Sequence, residues 1–589
     1  MIPSPWVYHG LNFLSTLSGE VHVGSISGNV SVTANITGGV SLIYQWYSNI
    51  SNSNIGGTII NGAINNNYVI PTTLAVGTYY YYVEVSGTGG ATTVRSNVAT
   101  VTVSTPSATF SSVTANGGQL TQPTTQLTIT FNNSIYGLTA DDILLEGVSN
   151  VSKGTLSGSG PTYTLPISGF TRGGTLSVTV SKTGWNITNS TRTVTVYSGS
   201  LTEKFQWLQT NAQSGGNYTI EVHFDEDISN INLSYSGKSN ITISLIGVGA
   251  NHNIKLSSNN YLFTVASGVT FIIGNNVTLQ GRNPISYPLV RVTSGGHFIM
   301  NNGSFITGNR VSMPVNNRSI GSAVTVESGS FTMNGGEISG NTAANTGDNN
   351  LSSYGGGVYI DGGTFTMEGG KIINNTAGSS SNSTWSGWGG GVYITTYNSI
   401  FIMNGGEISN NTAIGTGGGG GVVFSGASFT MNGGVISGNT VSNSIGSDMR
   451  GGGGVFISSG TFTMGGNSII HSNKTENHGG GVHVGGGTFI MNDNSAIYGN
   501  SATGRGGGVH VGFNNSNVGI FRISSGTVYG SEADVSLRNT GTGASICLST
   551  NNGTPTATYG INGVGNNIFA TGVTSRNNTL KVINGILQP

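Results

Sequence analysis

Residues 355–376 read Gly355-Gly356-Gly357-Val358-Tyr359-Ile360-Asp361-Gly362-Gly363-Thr364-Phe365-Thr366-Met367-Glu368-Gly369-Gly370-Lys371-Ile372-Ile373-Asn374-Asn375-Thr376. Three short alternating runs are separated by paired or tripled glycines, and each run is too short to form a sheet with its own neighbours. The pattern recurs. Phe-x-Met marks the register at Phe298, Phe331, Phe365, Phe401, Phe429, Phe462 and Phe489, with successive spacings of 33, 34, 36, 28, 33 and 27 residues. Backbone groups left unsatisfied within one unit are satisfied by stacking on the next, so the repeat predicts an all-β parallel β-helix with three strands per coil.

Alternation within strands sorts the side chains. Val358, Ile360, Phe365, Met367 and Ile372 are expected to point inward. After each third strand comes a column of asparagines, Asn309, Asn341, Asn375, Asn411, Asn439, Asn473 and Asn500. It reads as a structural ladder in which each asparagine takes a left-handed turn conformation and hydrogen-bonds to its counterpart one coil away. Length varies at one place, between this asparagine and the next glycine triplet. Insertions should therefore emerge at one corner, carrying Asp348, Tyr354, Trp385 and Trp388 on a loop-rich rim.

The segments before the repeat differ. From residue 20 to 104, and again from 105 to 199, short alternating strands are punctuated by turns, as in Tyr44-Gln45-Trp46-Tyr47 and Leu127-Thr128-Ile129-Thr130-Phe131; each segment reads as a β-sandwich. Residues 1–19 precede them. Leu201, Phe205 and Leu208 fall on one helical face, predicting a helix over 201–210 that caps the first coil of a solenoid spanning 200–589.

Composition narrows the function. Of 589 residues only 41 are charged, 7%, against about 25% in an ordinary domain. The net charge is -1 and no basic stripe exists, which argues against a nucleic-acid partner. No apolar run is long enough for a transmembrane helix. The one cysteine, Cys547, can form neither an intramolecular disulfide nor a zinc site by itself.

Catalysis by carboxylates requires two acids facing each other. The position four after each Met reads Ser304, Glu337, Lys371, Glu407, Val435, Ser468 and Ser495, so a lysine separates the acids. Asp225-Glu226-Asp227 reads as a turn or strand end, and Asp141-Asp142 lacks a calcium loop. The sequence thus predicts no catalytic residue, no metal site and no cofactor. A largely aromatic column, Thr325, Tyr359, Tyr393, Val423, Phe456, His483 and His510, is expected to face outward. With Trp385 and Trp388 it forms the candidate stripe for a glycan, another cell-surface ligand or a second copy of the chain, the chain ends being the other candidate for self-association. A neighbouring outward column, Ile299, Thr332, Thr366, Ile402, Thr430, Thr463 and Ile490, carries threonines interrupted by isoleucines.

Two resemblances sharpen this reading. Leu74-x-x-Gly77-x-Tyr79-x-Tyr81, with Trp46 upstream, resembles bacterial immunoglobulin-like modules, Tyr79 matching the tyrosine corner and Tyr81 standing where antibody domains carry cysteine. Gly356-Gly357-Val358 and Gly390-Gly391-Val392, together with Phe298/Asn301, Phe331/Asn334, Phe401/Asn404, Phe429/Asn432 and Phe489/Asn492, resemble the polymorphic outer-membrane protein repeats of right-handed, pectin-lyase-like β-helices. That resemblance covers about half the chain. It implies a bacterial surface-exposed or secreted adhesin-like protein, and the low charge, the Gly/Asn/Ser/Thr-rich surface and the serial sandwich modules suit a non-catalytic structural element able to assemble into a fibre or layer. The alternative it leaves open is a carbohydrate-active β-helix: a glycan-binding module, or less readily a polysaccharide lyase or glycoside hydrolase.

Overall fold

The Val-x-Ile, Phe-x-Met and x-Ile-x triplets are β-rich and glycine-bounded, and each forms a strand that pairs in parallel with the same triplet one coil on. Val358–Asp361 pairs with Val392–Thr395, Thr364–Met367 with Ile400–Met403, and Lys371–Ile373 with Glu407–Ser409. The computed structural model describes residues 21–34, 41–88, 92–313, 319–345, 352–378, 386–442, 450–504, 506–514, 517–528, 546–548, 556–559, 579–583 and 586–588. Throughout the repeat the result is a parallel β-helix, in an almost entirely β chain.

Its interior is apolar and stacked. Phe271, Phe298, Phe331, Phe365, Phe401, Phe429, Phe462, Phe489 and Phe521 form one buried file with ring centres 4.5–5.9 Å apart. From Phe331 to Phe489 the rings lie within 9° of parallel. Offset stacking of this kind adds about 0.5–1.5 kcal/mol per pair beyond the area buried.

The coil carries more strands than the three expected. A fourth, short parallel stack of seven follows the asparagine ladder, from Arg310–Met313 through Thr376–Ala377 to Ser501–Ala502. A fifth stack, Ser319–Ile320, Ser353–Tyr354 and Gly387–Trp388, precedes the glycine triplets. Two-residue strands such as Thr376–Ala377 and Gly387–Trp388 give little sequence periodicity.

The seven ladder asparagines are fully buried. Each backbone N–H donates to Oδ1 of the next, at 2.9–3.1 Å from Asn309 through to Asn500. From Asn341 onward Nδ2 also donates to an isoleucine carbonyl of the preceding coil, as in Asn411 to Ile372 at 2.8 Å. The left-handed residue is not the ladder asparagine but the one before it: Gly308, Gly340, Asn374, Asn410, Gly438, Ser472 and Gly499 all have φ between 54° and 69°. That turn frees the ladder side chain to point inward while its neighbour absorbs the reversal.

The ladder also explains the glycine triplets. A Cβ on Gly391 would stand 2.8 Å from the Gly421 carbonyl and 3.0 Å from Nδ2 of Asn411, and one on Gly390 2.5 Å from the Gly420 carbonyl. Successive triplets bond backbone to backbone at this spacing, as in Gly391 N–H to Gly421 O at 3.1 Å.

At the amino-terminal side the helix Leu201–Asn211 adds Leu201, Phe205 and Leu208 to the β-helix core, Phe205 packing 5.6 Å from Phe263. This unit comprises Tyr197–Pro589 together with Gly117–Pro123, whose Leu120 carbonyl accepts from Glu221 N–H.

The other unit, Met1–Asn116 with Thr124–Val196, contains two antiparallel-dominated β modules. In the first, Trp46 is buried and donates its indole N–H to Asn65 O at 2.9 Å. Tyr81 is buried beside Tyr68, and Tyr79 donates its hydroxyl to Ala75 O at 2.9 Å. In the second, sheets built around Gln126–Phe131 and Gly174–Val180 enclose a core that includes Phe110, Phe131 and Tyr163.

Candidate functional site

The candidate stripe is a continuous register column on the first strand of each coil: Thr264, Arg291, Thr325, Tyr359, Tyr393, Val423, Phe456, His483 and His510. Most of it does not face solvent. Thr325, Val423, Phe456, His483 and His510 are at most 1% exposed, contrary to the outward stripe expected from alternation. The residues preceding each glycine triplet fold back over the column as a second layer. Trp388 packs its ring 5.8 Å from Phe456, the Arg450 guanidinium lies 5.0 Å from the Trp388 ring, and His478 stacks 4.5 Å from His510. Trp388 thus belongs to the cover rather than to a free rim. Trp385 and Asp348 lie outside the described residues. Alternation gives only the side of the sheet a residue leaves from, and a second layer built from neighbouring coils is invisible to it.

The remaining members, Thr264, Arg291, Tyr359 and Tyr393, are half-buried and chemically mixed. Tyr359 and Tyr393 stack at 5.7 Å and 7°, and Tyr354 of the cover tilts onto Tyr393 at 4.7 Å. One coil before Thr325, Arg291 pairs with Glu327 at 2.7 Å and lies 5.3 Å from the Tyr261 ring, which in turn contacts Tyr287. Hydrogen bonding to Glu327 is the main reason Arg291 is held above the usual guanidinium range. Asp361, two residues beyond Tyr359, sits opposite Glu327 in register, on the same face and one coil away. Two carboxylates, a guanidinium and several tyrosines therefore share one patch.

Glu327 and Asp361 belong neither to the column four after Met nor to the adjacent acids at 141–142 and 225–227, so the sequence reading passes over their pairing. The signal was present: Val324-Thr325-Val326-Glu327 and Val358-Tyr359-Ile360-Asp361 align residue for residue.

Other charged groups have structural partners. Glu337, Lys371 and Glu407 do stack in register, but the Lys371–Glu407 contact is 3.7 Å and exposed, worth at most about 1 kcal/mol. Glu226 caps the helix, its carboxylate accepting from Leu201 N–H at 2.9 and 3.1 Å; burial raises its pKa. Lys204 beneath it donates to Glu221 O at 2.6 Å, and burial brings its ammonium down to about 8 against the opposing pull of Glu226 and Glu221. Asp225 accepts from Asn253. Asp142 is bound by Lys182 and by Thr139. The Asn of Phe-x-x-Asn forms a second, surface ladder, Asn334 to Asn301 and Asn432 to Asn404, each at 2.9 Å.

No family model matches the chain, and no curated protein matches it. Among solved structures it is similar to SGBP-B of the Bacteroides ovatus mixed-linkage glucan utilization locus, determined in complex with a mixed-linkage heptasaccharide. Identity is 13% and the TM-score 0.12, over 38% of this chain and 53% of that one. The match thus spans about half the length of that protein, and a likeness this slight says nothing of what this chain binds. No helix among the described residues is long and apolar enough to cross a membrane.

Proposed function

We propose that this chain is a non-catalytic structural and adhesive protein of a bacterial surface or its surroundings, in which immunoglobulin-like modules precede a right-handed, pectin-lyase-like β-helix that presents a glycan-binding patch. The observation that carries this reading is the half-exposed cluster of Tyr359, Tyr393, Arg291, Glu327 and Asp361, set on a scaffold locked coil to coil by two asparagine ladders. Tyrosine edges and hydroxyls offer apolar contact and hydrogen bonds together, and the carboxylates and guanidinium can hold sugar hydroxyls. The covered part of the column leaves the patch and the chain ends as the surfaces for glycan, cell-surface ligand or self-association.

A glycan array probed with the purified chain tests this, with the Tyr359→Ala/Tyr393→Ala variant as control. Binding to a defined glycan class that falls at least tenfold in the variant supports it; an array without a hit, or equal binding by both, contradicts it.

The Glu327/Asp361 pair favours a second reading, a carbohydrate-active β-helix in which the two carboxylates act on a glycosidic bond. Release of shortened oligosaccharides that disappears in Glu327→Gln would establish it.

A further inference from the structure

We propose that the cleft where the two β modules of the amino-terminal unit meet is a saccharide site of its own, taking a short uncharged sugar against Tyr136 and Trp185. The cleft has a volume of about 340 Å³, at the small end of the range that ligand pockets occupy. Val23 and Ser25 line it from the first module, Tyr136, Thr183 and Trp185 from the second, and Pro106 from the connector between them.

Both sides are built on one stretch of backbone. The strands Ala99–Ser104 and Ser107–Ala115 are separated by Thr105 and Pro106 alone. On the first side Val21–His22 runs parallel to Val103 and Ser104, and Val23 N–H donates to Ser104 O at 3.0 Å. On the second, Asn186–Thr188 runs parallel to residues 107–109, and Asn186 N–H donates to Pro106 O at 2.9 Å. Val23 and Trp185 each adjoin a strand tied to this connector, whose proline restricts its freedom. A cleft preorganised in this way loses little order on binding.

The two rings are mounted rigidly. Tyr136 is 73% exposed, yet the residues on either side of it are pinned. Ile135 N–H donates to the Tyr163 hydroxyl at 2.8 Å, that hydroxyl donates to Ile135 O at 2.9 Å, and Gly137 O accepts from Lys182 Nζ at 2.6 Å. Trp185 is half-buried against the core of its module, and its backbone N–H closes a turn onto Lys182 O at 3.1 Å, with Gly184 at φ 81°. The ring centres lie 6.4 Å apart with the planes tilted by 48°. A large ring left in solvent on a fixed turn marks a contact surface. Tyr and Trp offer apolar faces for the C–H side of a sugar ring, and a hydroxyl and an indole N–H for its oxygens.

Charge selects the class of sugar. Lys182 is the one ionised side chain in the lining, and its Nζ lies 3.0 Å from Asp142 Oδ2. That charge is answered within the protein, so a uronic acid gains no ion pair here, while the Ser25 and Thr183 hydroxyls suit neutral partners. The neighbouring cleft around Leu138, Asp141 and Lys153 has no aromatic ring in its lining, and stacking therefore singles out the junction. The Tyr359 patch belongs to the other unit, so this inference does not rest on the reading of that patch.

The test labels the full chain with fluorotryptophan and follows fluorine NMR as cellotriose, mannotriose, maltotriose or trigalacturonate is added, a method that detects binding too weak for an array to retain. Trp185→Phe, which keeps an aromatic ring, assigns the Trp185 signal by its loss. Tyr136→Ala, which removes an exposed ring 6.4 Å away, assigns it a second time by displacement. The inference expects at least one neutral trisaccharide to shift the Trp185 signal saturably, trigalacturonate to leave it in place, and Tyr136→Ala to weaken the binding at least tenfold. Tyr359→Ala/Tyr393→Ala should titrate as the parent does, which separates failure of the β-helix patch from failure of this cleft. A Trp185 signal that stays in place with every neutral trisaccharide, that answers equally to trigalacturonate, or that titrates alike in Tyr136→Ala overturns the proposal.

Discussion

Asn375 donates both its backbone N–H and its Nδ2–H to the single Oδ1 of Asn411, the equivalent residue one coil on, at 2.9 and 3.1 Å. Asn411 repeats the gesture toward Asn439 and also reaches back to Ile372 O. Each side chain therefore serves three coils, and none of these atoms can turn to water. Asn411→Ala should cost about 2–4 kcal/mol, because it orphans buried donors on Asn375 and an acceptor on Ile372. Asn432→Ala, in the exposed outer ladder, should cost under about 1 kcal/mol. Chemical denaturation of the two variants measures the difference.

The glycine triplets answer to the same ladder. Gly390→Ala would press its Cβ to 2.5 Å from the Gly420 carbonyl and 2.6 Å from Thr412 backbone atoms, neither of which can swing aside. A loss of about 3 kcal/mol is expected, at the upper end of overpacking effects. Equal denaturation midpoints for the variant and parent would show that the coils can separate locally at little cost.

Acid should weaken the protein from within. Burial, aided by His478, brings His483 from its usual 6.5 down to about 3. Between these values the unfolded chain binds a proton that the folded chain refuses, so stability falls as pH drops below 6.5 and is level above it. The slope from this one group is about 1.4 kcal/mol per pH unit. In His483→Phe that contribution vanishes, and denaturation midpoints compared at pH 7 and pH 5 should show a smaller acid loss than the parent does.

Glu226 gives a local prediction. Its carboxylate holds the first N–H of the Leu201–Asn211 helix and offsets the buried ammonium of Lys204. Glu226→Ala should cost about 1–3 kcal/mol. Amide hydrogen exchange should quicken over the first turn of the helix while coils near Asn411 keep their protection.

What the sequence disclosed and what it hid divide along physical lines. The repeating strands were legible because Val358, Ile360, Phe365, Met367 and Ile372 obey a strict two-residue alternation between glycine breaks, and every coil restates it. The fourth and fifth stacks were not, since strands such as Thr376–Ala377 and Gly387–Trp388 are too short to carry a period. Asparagine's tolerance of left-handed backbone pointed to the right turn but the wrong residue, because Asn374 and Asn375 are adjacent and only the geometry says which one reverses the chain. The fate of Phe456, His483 and His510 depended on Trp388, Arg450 and His478 arriving from other coils. Such contacts leave no mark in local pattern.

The most direct test of the account is to incubate the purified chain with the glycan class it retains on an array, recover that glycan, and measure its length by mass spectrometry. The account predicts glycan that is held by the parent, lost by Tyr359→Ala/Tyr393→Ala, and recovered at full length. Recovered glycan that is shortened or carries new unsaturated ends, with the effect abolished by Glu327→Gln, would contradict it and make the chain an enzyme.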